Sequence, residues 1–569
     1  MSDMHDQLEA VTGVQLAQGI GHQPAQGFWT EAWAQVLKRS AAVIGLCWVA
    51  AVAFFAIFAP LIASGHPLLL WTTNADGNEQ LSSPLIRMLT LPDVMLIVWG
   101  VWTPILFFWP TKKIDKPTKL RLIIAGGVQF AVAAVLVGAV SGYFARPYIS
   151  DSARAFEQWA GFQLTASLVI AVIASIPFIL ISIGVYKSTP RVLYVLIIAL
   201  ITVLLGIWKW SENTSVYRDY RMNQSNGQTR AIYTLIPFSP DQSETPMFNR
   251  DPMSTPLDSM WDRLADRERI NAERSANFSD EELAEAKVSE LTFEELRQIA
   301  RPYDELVSYP IYGFIDELHT QWEEGQITSL LDLKRAVKGG SAPVHLFGTD
   351  TLGQDVFSQM LHACRLSISI GFVSTGIAVV IGVTIGAIMG YFGGWVDLLL
   401  YRVVEIFMAI PVLFLLIVAA GVLPRNIYVM MAIIGCFSWT TAARFIRAEF
   451  MKLKGTDYVQ AANALGLPLW SILFKHMLPN GVTPVLVESS FLIAAAILIE
   501  AILSFLGLGP ANQASWGTLL SNASGETSDF LWWLAIFPGG AIFLTTMAYN
   551  LIGEALRDAI DPKLKKARV

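Results

Sequence analysis

Charged residues are scarce in this chain. Only 15% of its 569 residues are Asp, Glu, Lys or Arg, whereas soluble domains carry about 25%. Hydrophobic residues make up 53%, and the mean hydropathy is +0.47. So few charges cannot cover a water-soluble globule, and we expect an all-α protein that crosses a membrane many times.

Cysteine is also rare. The three cysteines, Cys47, Cys364 and Cys436, all lie in apolar runs. The large polar segment has none, which excludes a disulfide framework there. The first residues, "MSDMHDQLEAVTGVQ", lack a basic stretch followed by an apolar core, so no cleaved signal peptide is expected.

The motifs of common catalytic sites are missing. The nearest match to an ATP-binding loop is "GTDTLGQD" (348–355), where Gln354 replaces the lysine that would grip a phosphate. The seven histidines are scattered, without an H-E-x-x-H motif, and no G-x-S-x-G occurs. We therefore expect no enzyme activity, no metal site and no cofactor in this chain. Uphill transport would need energy from ions or from a partner.

Long apolar runs predict about ten transmembrane helices, because a span needs roughly 20 apolar residues. They lie at 41–64, 89–109, 121–144, 164–186, 192–210, 364–391, 397–421, 427–445, 484–508 and 531–553. Basic stretches such as "TKKIDKPTKLR" and "RAEFMKLKG" all fall on the cytoplasmic side if both termini are cytoplasmic.

This orientation places residues 211–345 outside. The segment contains 24 acidic and 14 basic residues, a net charge of −10. Residues 279–300 predict a helix capped by Ser279, and the segment is expected to be mainly helical.

Two carboxylates fall within predicted spans. Glu405 and Glu500 could belong to an ion pathway, since charges are costly in a membrane. The structural alternative is a hydrogen bond within the bundle, or an ion pair with a residue such as Arg402. Gly382, Gly386 and Gly390 lie four apart on one helix face and predict close helix contact, either for packing or along the translocation path.

Residues 457–480 interrupt the apolar pattern. Ala461, Ala462 and Ala464 are expected to give one helix a small face, and Gly466 and Pro468 end that helix. A second short helix follows on the cytoplasmic side. This elbow is suited to docking in a groove of another protein, although a simple interfacial helix is the alternative.

The stretch "QAANALGLPLWSILFKHMLPN" (460–480) resembles the E-A-A-x-x-x-G signature of ABC importer permeases. In that family this loop is the coupling helix that enters a cleft of the ATPase subunit. Gln460 stands where the pattern has Glu. The resemblance implies these coupling residues: Asp457, Tyr458, Gln460, Ala461, Ala462, Leu465, Gly466, Pro468, His476 and Pro479.

Further motifs are similar to the dipeptide/oligopeptide branch. "HLFGTDTLGQDV" (345–356) contributes the external motif residues Gly348, Asp350, Gly353 and Asp355, which could cap helices or face a docking partner. "GYFGGWVD" (390–397), "LSFLGLG" (503–509) and "NLIGEALRDAIDPKL" (550–564) follow in the expected order, and the first span also resembles that branch.

The resemblance implies a permease subunit of the bacterial inner membrane. Its partners would be a second permease, two ATPase subunits that bind the ATP, an external solute-binding protein and membrane lipid, but no nucleic acid. The family core has six spans. The chain then divides into a cytoplasmic tail and elbow (1–40), a first core span (41–64), an inserted four-span bundle (65–210), an acidic external segment (211–345) and the permease core (346–569).

Two other functions remain open. An ion-coupled secondary transporter would work without an ATPase and would depend on Glu405 and Glu500. A membrane-embedded assembly or sensor protein would depend on residues 211–345 and tolerate changes at 461–466.

Overall fold

The computed structural model describes the chain in several ranges. They are residues 28–73, 79–108, 123–130, 166–179, 229–243, 247–267, 312–339, 342–510, 513–523 and 530–560, with a few isolated positions. The chain divides into two compact units, one formed by residues 1–50, 370–499 and 542–569, the other by 51–369 and 500–541.

The described helices confirm the helical class. Before residue 211 the labelled helices are α1 (Phe28–Val36), α2 (Ser40–Ile62), α3 (Pro84–Met88) and α4 (Leu91–Phe108). Within 211–345, the segment predicted to be external, they are α5 (Pro256–Arg267), α6 (Tyr312–Glu323) and α7 (Leu330–Lys338). The remaining helices are α8 (Val356–Phe392), α9 (Gly394–Ala409), α10 (Val412–Val422), α11 (Ile427–Phe437), α12 (Thr440–Lys454), α13 (Asp457–Ala464), α14 (Leu469–Ser471), α15 (Leu478–Gly481), α16 (Thr483–Phe505), α17 (Trp516–Asn522) and α18 (Trp532–Ile560).

The candidate spans match the predicted permease core. The helices α2, α8, α16 and α18 are long and apolar enough to cross a membrane. The bent pairs α9–α10 and α11–α12 raise the number of candidate spans among the described residues to six. These six coincide with the predicted spans that begin at residues 41, 364, 397, 427, 484 and 531.

One predicted span is sharply broken. Helices α9 and α10 meet at an angle of 81°. Pro411 lies at the break and has no N–H to continue the hydrogen-bond ladder of α9. The apolar sequence runs on through Ile410 and Pro411, so apolar length alone predicts a single span at 397–421.

The four additional predicted spans are described only in part. Helix α4 covers the span at 89–109, and Ala166–Ile179 is a shorter apolar helix within 164–186. Most of 121–144 and 192–210 lies outside the described residues, as does most of 279–300. The ten-span count and the 279–300 helix stay predictions.

A small sheet was not predicted. Strands β1 (Leu69–Thr73), β2 (Glu79–Ser82) and β3 (Thr229–Ile232) form an antiparallel sheet in the order β2-β1-β3. Further along the chain, helices α5 and α7 are joined by an ion pair of 2.8 Å between Lys338 and Asp258. A capping box formed by Ser329 and Asp332 begins α7.

Candidate functional site

The elbow at 457–480 folds as two short helical parts around a glycine. Helix α13 ends with the paired hydrogen bonds of a Schellman motif, from Leu467 N to Ala462 O (3.2 Å) and from Gly466 N to Asn463 O (3.0 Å). Gly466 has a φ of +68°, a conformation that other residues adopt at a cost. Pro468 then caps α14, which continues through a π-helical turn (Ile472–Met477) into α15. The predicted break at Gly466 and Pro468 is therefore present.

One face of the elbow is anchored in the first unit. Val459 and Ala462 of α13 are buried in one apolar cluster with Ile472, Met477 and Phe450. Ala461 and Ala464 are exposed. The three alanines therefore do not share one face, because the 100° step between consecutive helix positions turns Ala462 inward while Ala461 stays outside.

The tip of the elbow is apolar and exposed. Leu465 is 79% exposed and Trp470 is 69% exposed, while the Trp470 ring packs on Phe474 at a centroid distance of 4.0 Å. A Cβ placed on Gly466 would meet nothing within 4 Å. Leu465, Trp470 and Leu469, which is 39% exposed, thus give the elbow three uncovered apolar side chains within six residues.

The remaining predicted coupling residues lie along the helical parts of the elbow. Asp457, Tyr458, Gln460 and Pro479 are exposed, and His476 is half-buried. The Gln460 amide donates to Gly455 O at 3.3 Å, and the Asn480 amide donates to His476 O at 2.9 Å. These bonds stabilise the elbow internally and leave its outer surface available.

The glycine stripe makes the close contact that its spacing predicted. A Cβ on Gly382, Gly386 or Gly390 would lie 2.5–2.7 Å from the carbonyl oxygens of Trp439, Ala443 and Arg447, respectively. Since both rows advance by four residues, α8 and α12 touch backbone to backbone over two turns. A role along the translocation path stays a prediction.

The two intramembrane carboxylates have local partners. Glu405 forms an ion pair with Arg402 at 2.5 Å, and both side chains are exposed. Glu500 is fully buried and accepts a hydrogen bond of 2.7 Å from Ser504 Oγ. Both contacts are of the kind that the structural alternative predicts, and a role of either carboxylate in an ion pathway stays a prediction.

The external motif forms a tightly bonded turn before α8. Gly348 has a φ of +76°, and a Cβ there would lie 2.5 Å from Arg250 O. Asp355 accepts from Ser358 N at 2.7 Å and from the ring of His345 at 2.8 Å, so it caps α8. Gly353, with a φ of +73°, closes the turn between the two aspartates.

Asp350 holds this turn from inside. Its carboxyl accepts hydrogen bonds from Leu352 N, Gln354 N and the Gln359 amide at 2.7–2.9 Å. Burial nevertheless raises the pKa of Asp350 above its ordinary value. Asp355 is thus the predicted helix cap, whereas Asp350 bonds within the turn and begins no helix. Contact of this motif with a docking protein stays a prediction.

An ion pair between α12 and α9 is not predicted from the sequence. Arg447 of α12 donates two hydrogen bonds to Asp397 of α9, at 2.5 and 2.7 Å. The signal was available, because an acidic residue in an apolar run requires a partner. What the sequence does not show is which of the distant basic residues supplies it.

Known proteins are similar to two parts of the chain. Residues 382–566 match the family described as "Binding-protein-dependent transport system inner membrane component". Residues 27–84 match the "N-terminal TM domain of oligopeptide transport permease C". Residues 85–381 lie outside both matches.

Individual relatives are oligopeptide, dipeptide and glutathione permeases. The chain is 39% identical to the oligopeptide transport system permease protein OppC of Bacillus subtilis, over 39% of this chain and 73% of that protein. It is 36% identical to the dipeptide permease DppC of Alkalihalophilus pseudofirmus, over 40% of this chain and 74% of that protein. It is 38% identical to the glutathione permease GsiD of Pectobacterium atrosepticum, over 40% of this chain and 75% of that protein.

Among solved structures, the chain is similar to an inward-facing MetNI methionine ABC transporter. The TM-score is 0.27 at 17% identity, covering 35% of this chain and 97% of that one. A similarity this slight defines neither fold nor function, so the family assignment comes from the sequence relatives.

Proposed function

This chain belongs to the family of inner-membrane components of binding-protein-dependent transport systems, in its oligopeptide and dipeptide branch, and we propose that it is one of two permease subunits of an ATP-driven importer. Together with the second permease it forms the path for the solute. The solute is a peptide or a peptide-like molecule, as the names of the relatives suggest.

The exposed apolar tip of the elbow is the observation that carries this proposal. Leu465 and Trp470 extend from a packed support, since Val459 and Ala462 of α13 are buried in the apolar cluster beneath the elbow. A preformed apolar tip loses little entropy when it enters a groove. The tip therefore docks in a cleft of an ATPase subunit on the cytoplasmic side.

The energy of transport then comes from outside this chain. Two ATPase subunits bind and hydrolyse ATP, while this chain binds no cofactor and catalyses no reaction. An external binding protein delivers the solute to the opposite side of the membrane. Both termini of this chain lie in the cytoplasm.

Close contacts transmit the movement of the elbow to the membrane-spanning helices α8 and α12. Asn463 of α13 accepts a hydrogen bond from Tyr391 at the end of α8. Helices α8 and α12 touch through their glycine row. When the ATPases close on ATP, the elbow moves and these contacts move α8 and α12 with it, which opens the path alternately to the two sides.

Affinity purification from native membranes tests the proposal. The full chain should co-purify with an ATPase and a second permease, identified by mass spectrometry. A Leu465→Glu variant, which places a charge on the exposed tip, should retain the second permease and lose the ATPase. A chain that elutes alone, even after mild cross-linking, contradicts the proposal.

A further inference from the structure

Helix α9 is bounded by a break at each end. At its start, Gly393 and Gly394 have φ values of +65° and +52°, and a Cβ at either position would meet nothing within 4 Å. At its end, the chain turns by 81° at Pro411. A helix between two breaks can turn as a unit, because the φ/ψ changes are confined to a few residues at its ends.

Arg447 of α12 holds α9 in place. Its Nε and Nη2 donate to the two carboxylate oxygens of Asp397, in the first turn of α9, at 2.5 and 2.7 Å. The guanidinium also lies 4.6 Å from the ring centroid of Tyr401, one turn further along α9. The two hydrogen bonds and the stacked ring fix the distance between α9 and α12 and the orientation of α9.

Apolar contacts also lie between α9 and α12. Val404, Leu400 and Phe407 of α9 pack in one cluster with Ala443 of α12 and with Trp439, the residue before α12. Such contacts are non-directional, whereas a bidentate ion pair has a defined geometry. The bidentate ion pair selects one register between the two helices.

Arg447 also belongs to a series of contacts that connects the elbow to α9. Its carbonyl oxygen is 2.6 Å from the position of a Cβ on Gly390 of α8. The next residue, Tyr391, donates its hydroxyl to Asn463 of the elbow at 2.9 Å. Elbow, α8, α12 and α9 are thus joined through Asn463, Tyr391, Gly390, Arg447 and Asp397.

We propose that Arg447 and Asp397 are positioning residues that make α9 follow the elbow during transport. This inference rests on the proposed function, because it needs an ATPase to move the elbow. Without the ion pair, the elbow still docks and ATP is still hydrolysed, but α9 no longer moves with α12.

The test uses the full chain in its purified complex with the ATPase and the second permease. We compare Asp397→Asn, Arg447→Lys and the exchanged pair Asp397→Arg with Arg447→Asp, and measure ATP hydrolysed per peptide imported. Asp397→Asn should retain the ATPase and raise this ratio at least tenfold. Arg447→Lys, which keeps the charge but loses the bidentate geometry, should raise it less, and the exchanged pair should restore much of the coupling.

The outcomes separate the two claims. If the unmodified chain binds no ATPase, both the proposed function and this inference fail. If Asp397→Asn keeps the ATPase and the normal ratio, the positioning role alone is wrong. A reduced yield of complex in all variants, without restoration by the exchanged pair, marks a folding role and also overturns the inference.

Discussion

Tyr391 at the end of α8 donates its hydroxyl hydrogen to the side-chain oxygen of Asn463 in the elbow, 2.9 Å away. Seventy-two residues separate the two in the sequence. The ammonium group of Lys454 lies 5.7 Å from the centroid of the same tyrosine ring. A single side chain therefore links the proposed docking helix to a membrane-spanning helix and to the end of α12.

Tyr391→Phe should weaken the transmission of movement from the elbow to α8 without unfolding the protein. The ring and its packing stay, and the net loss is one hydrogen bond, about 0.5–1.5 kcal/mol. We expect peptide uptake by the complex to fall about two- to tenfold while the amount of bound ATPase is unchanged. Uptake into membrane vesicles measures this effect. Tyr428→Phe, which removes the hydroxyl of an exposed tyrosine in α11, is the control and should transport normally.

Two adjacent alanines should respond to arginine in different ways. Ala461 is exposed, so Ala461→Arg should leave the melting temperature unchanged and displace the ATPase from its docking surface. Ala462 is 5% exposed in the cluster beneath the elbow. Ala462→Arg would bury an unpaired charge at a cost of several kcal/mol, and the melting temperature should fall.

Co-purification and thermal unfolding of both variants separate these effects. If Ala461→Arg binds the ATPase as well as the unmodified chain does, this face of α13 is not the docking surface.

The contact between α8 and α12 should tolerate no added methyl group. A Cβ on Gly386 would lie 2.5 Å from Ala443 O, whereas one on Gly376 of the same helix would meet nothing within 4 Å. Gly386→Ala should cost about 1–3 kcal/mol through overpacking. Gly376→Ala should be neutral or stabilising by up to about 1 kcal/mol, since alanine favours helix. Equal melting temperatures for the two variants would contradict the observed packing.

Acidification should destabilise the second unit through His66. Burial lowers the pKa of His66 from 6.5 to about 4, with partial opposition from Asp241. The unfolded chain therefore binds a proton that the folded chain does not bind between these values. The contribution of neutral His66 to the free energy of unfolding is fully present above pH 6.5, and it is lost as the pH falls towards 4.

The melting temperature of His66→Gln, measured from pH 7.5 to pH 4, tests this effect. The variant should lose less stability over that range than the unmodified chain does. Parallel curves for the two proteins would show that His66 is not responsible.

The sequence predicted those features that depend on local pattern. Apolar length located the six core spans, Gly466 and Pro468 located the elbow, and the spacing of Gly382, Gly386 and Gly390 indicated a close helix contact. Each of these signals lies within one continuous segment.

The missing features depend on the tertiary structure. The bond from Arg447 to Asp397 joins residues 50 positions apart, and no local pattern selects that pair. The inward orientation of Ala462 depends on where Phe450 and Met477 lie. The strands β1 and β3 are far apart in the sequence and short, so neither stands out from its surroundings.

The most direct test of coupling through the elbow is ATP-dependent peptide uptake by proteoliposomes that contain the purified complex. Gly466→Ala and Gly466→Trp share the strain of a positive φ, about 1–2 kcal/mol, but only tryptophan adds bulk at the open tip. We expect uptake by the unmodified chain and by Gly466→Ala, and at least a tenfold loss with Gly466→Trp. Uptake that needs no ATP, or that is normal with Gly466→Trp, would contradict coupling through this elbow.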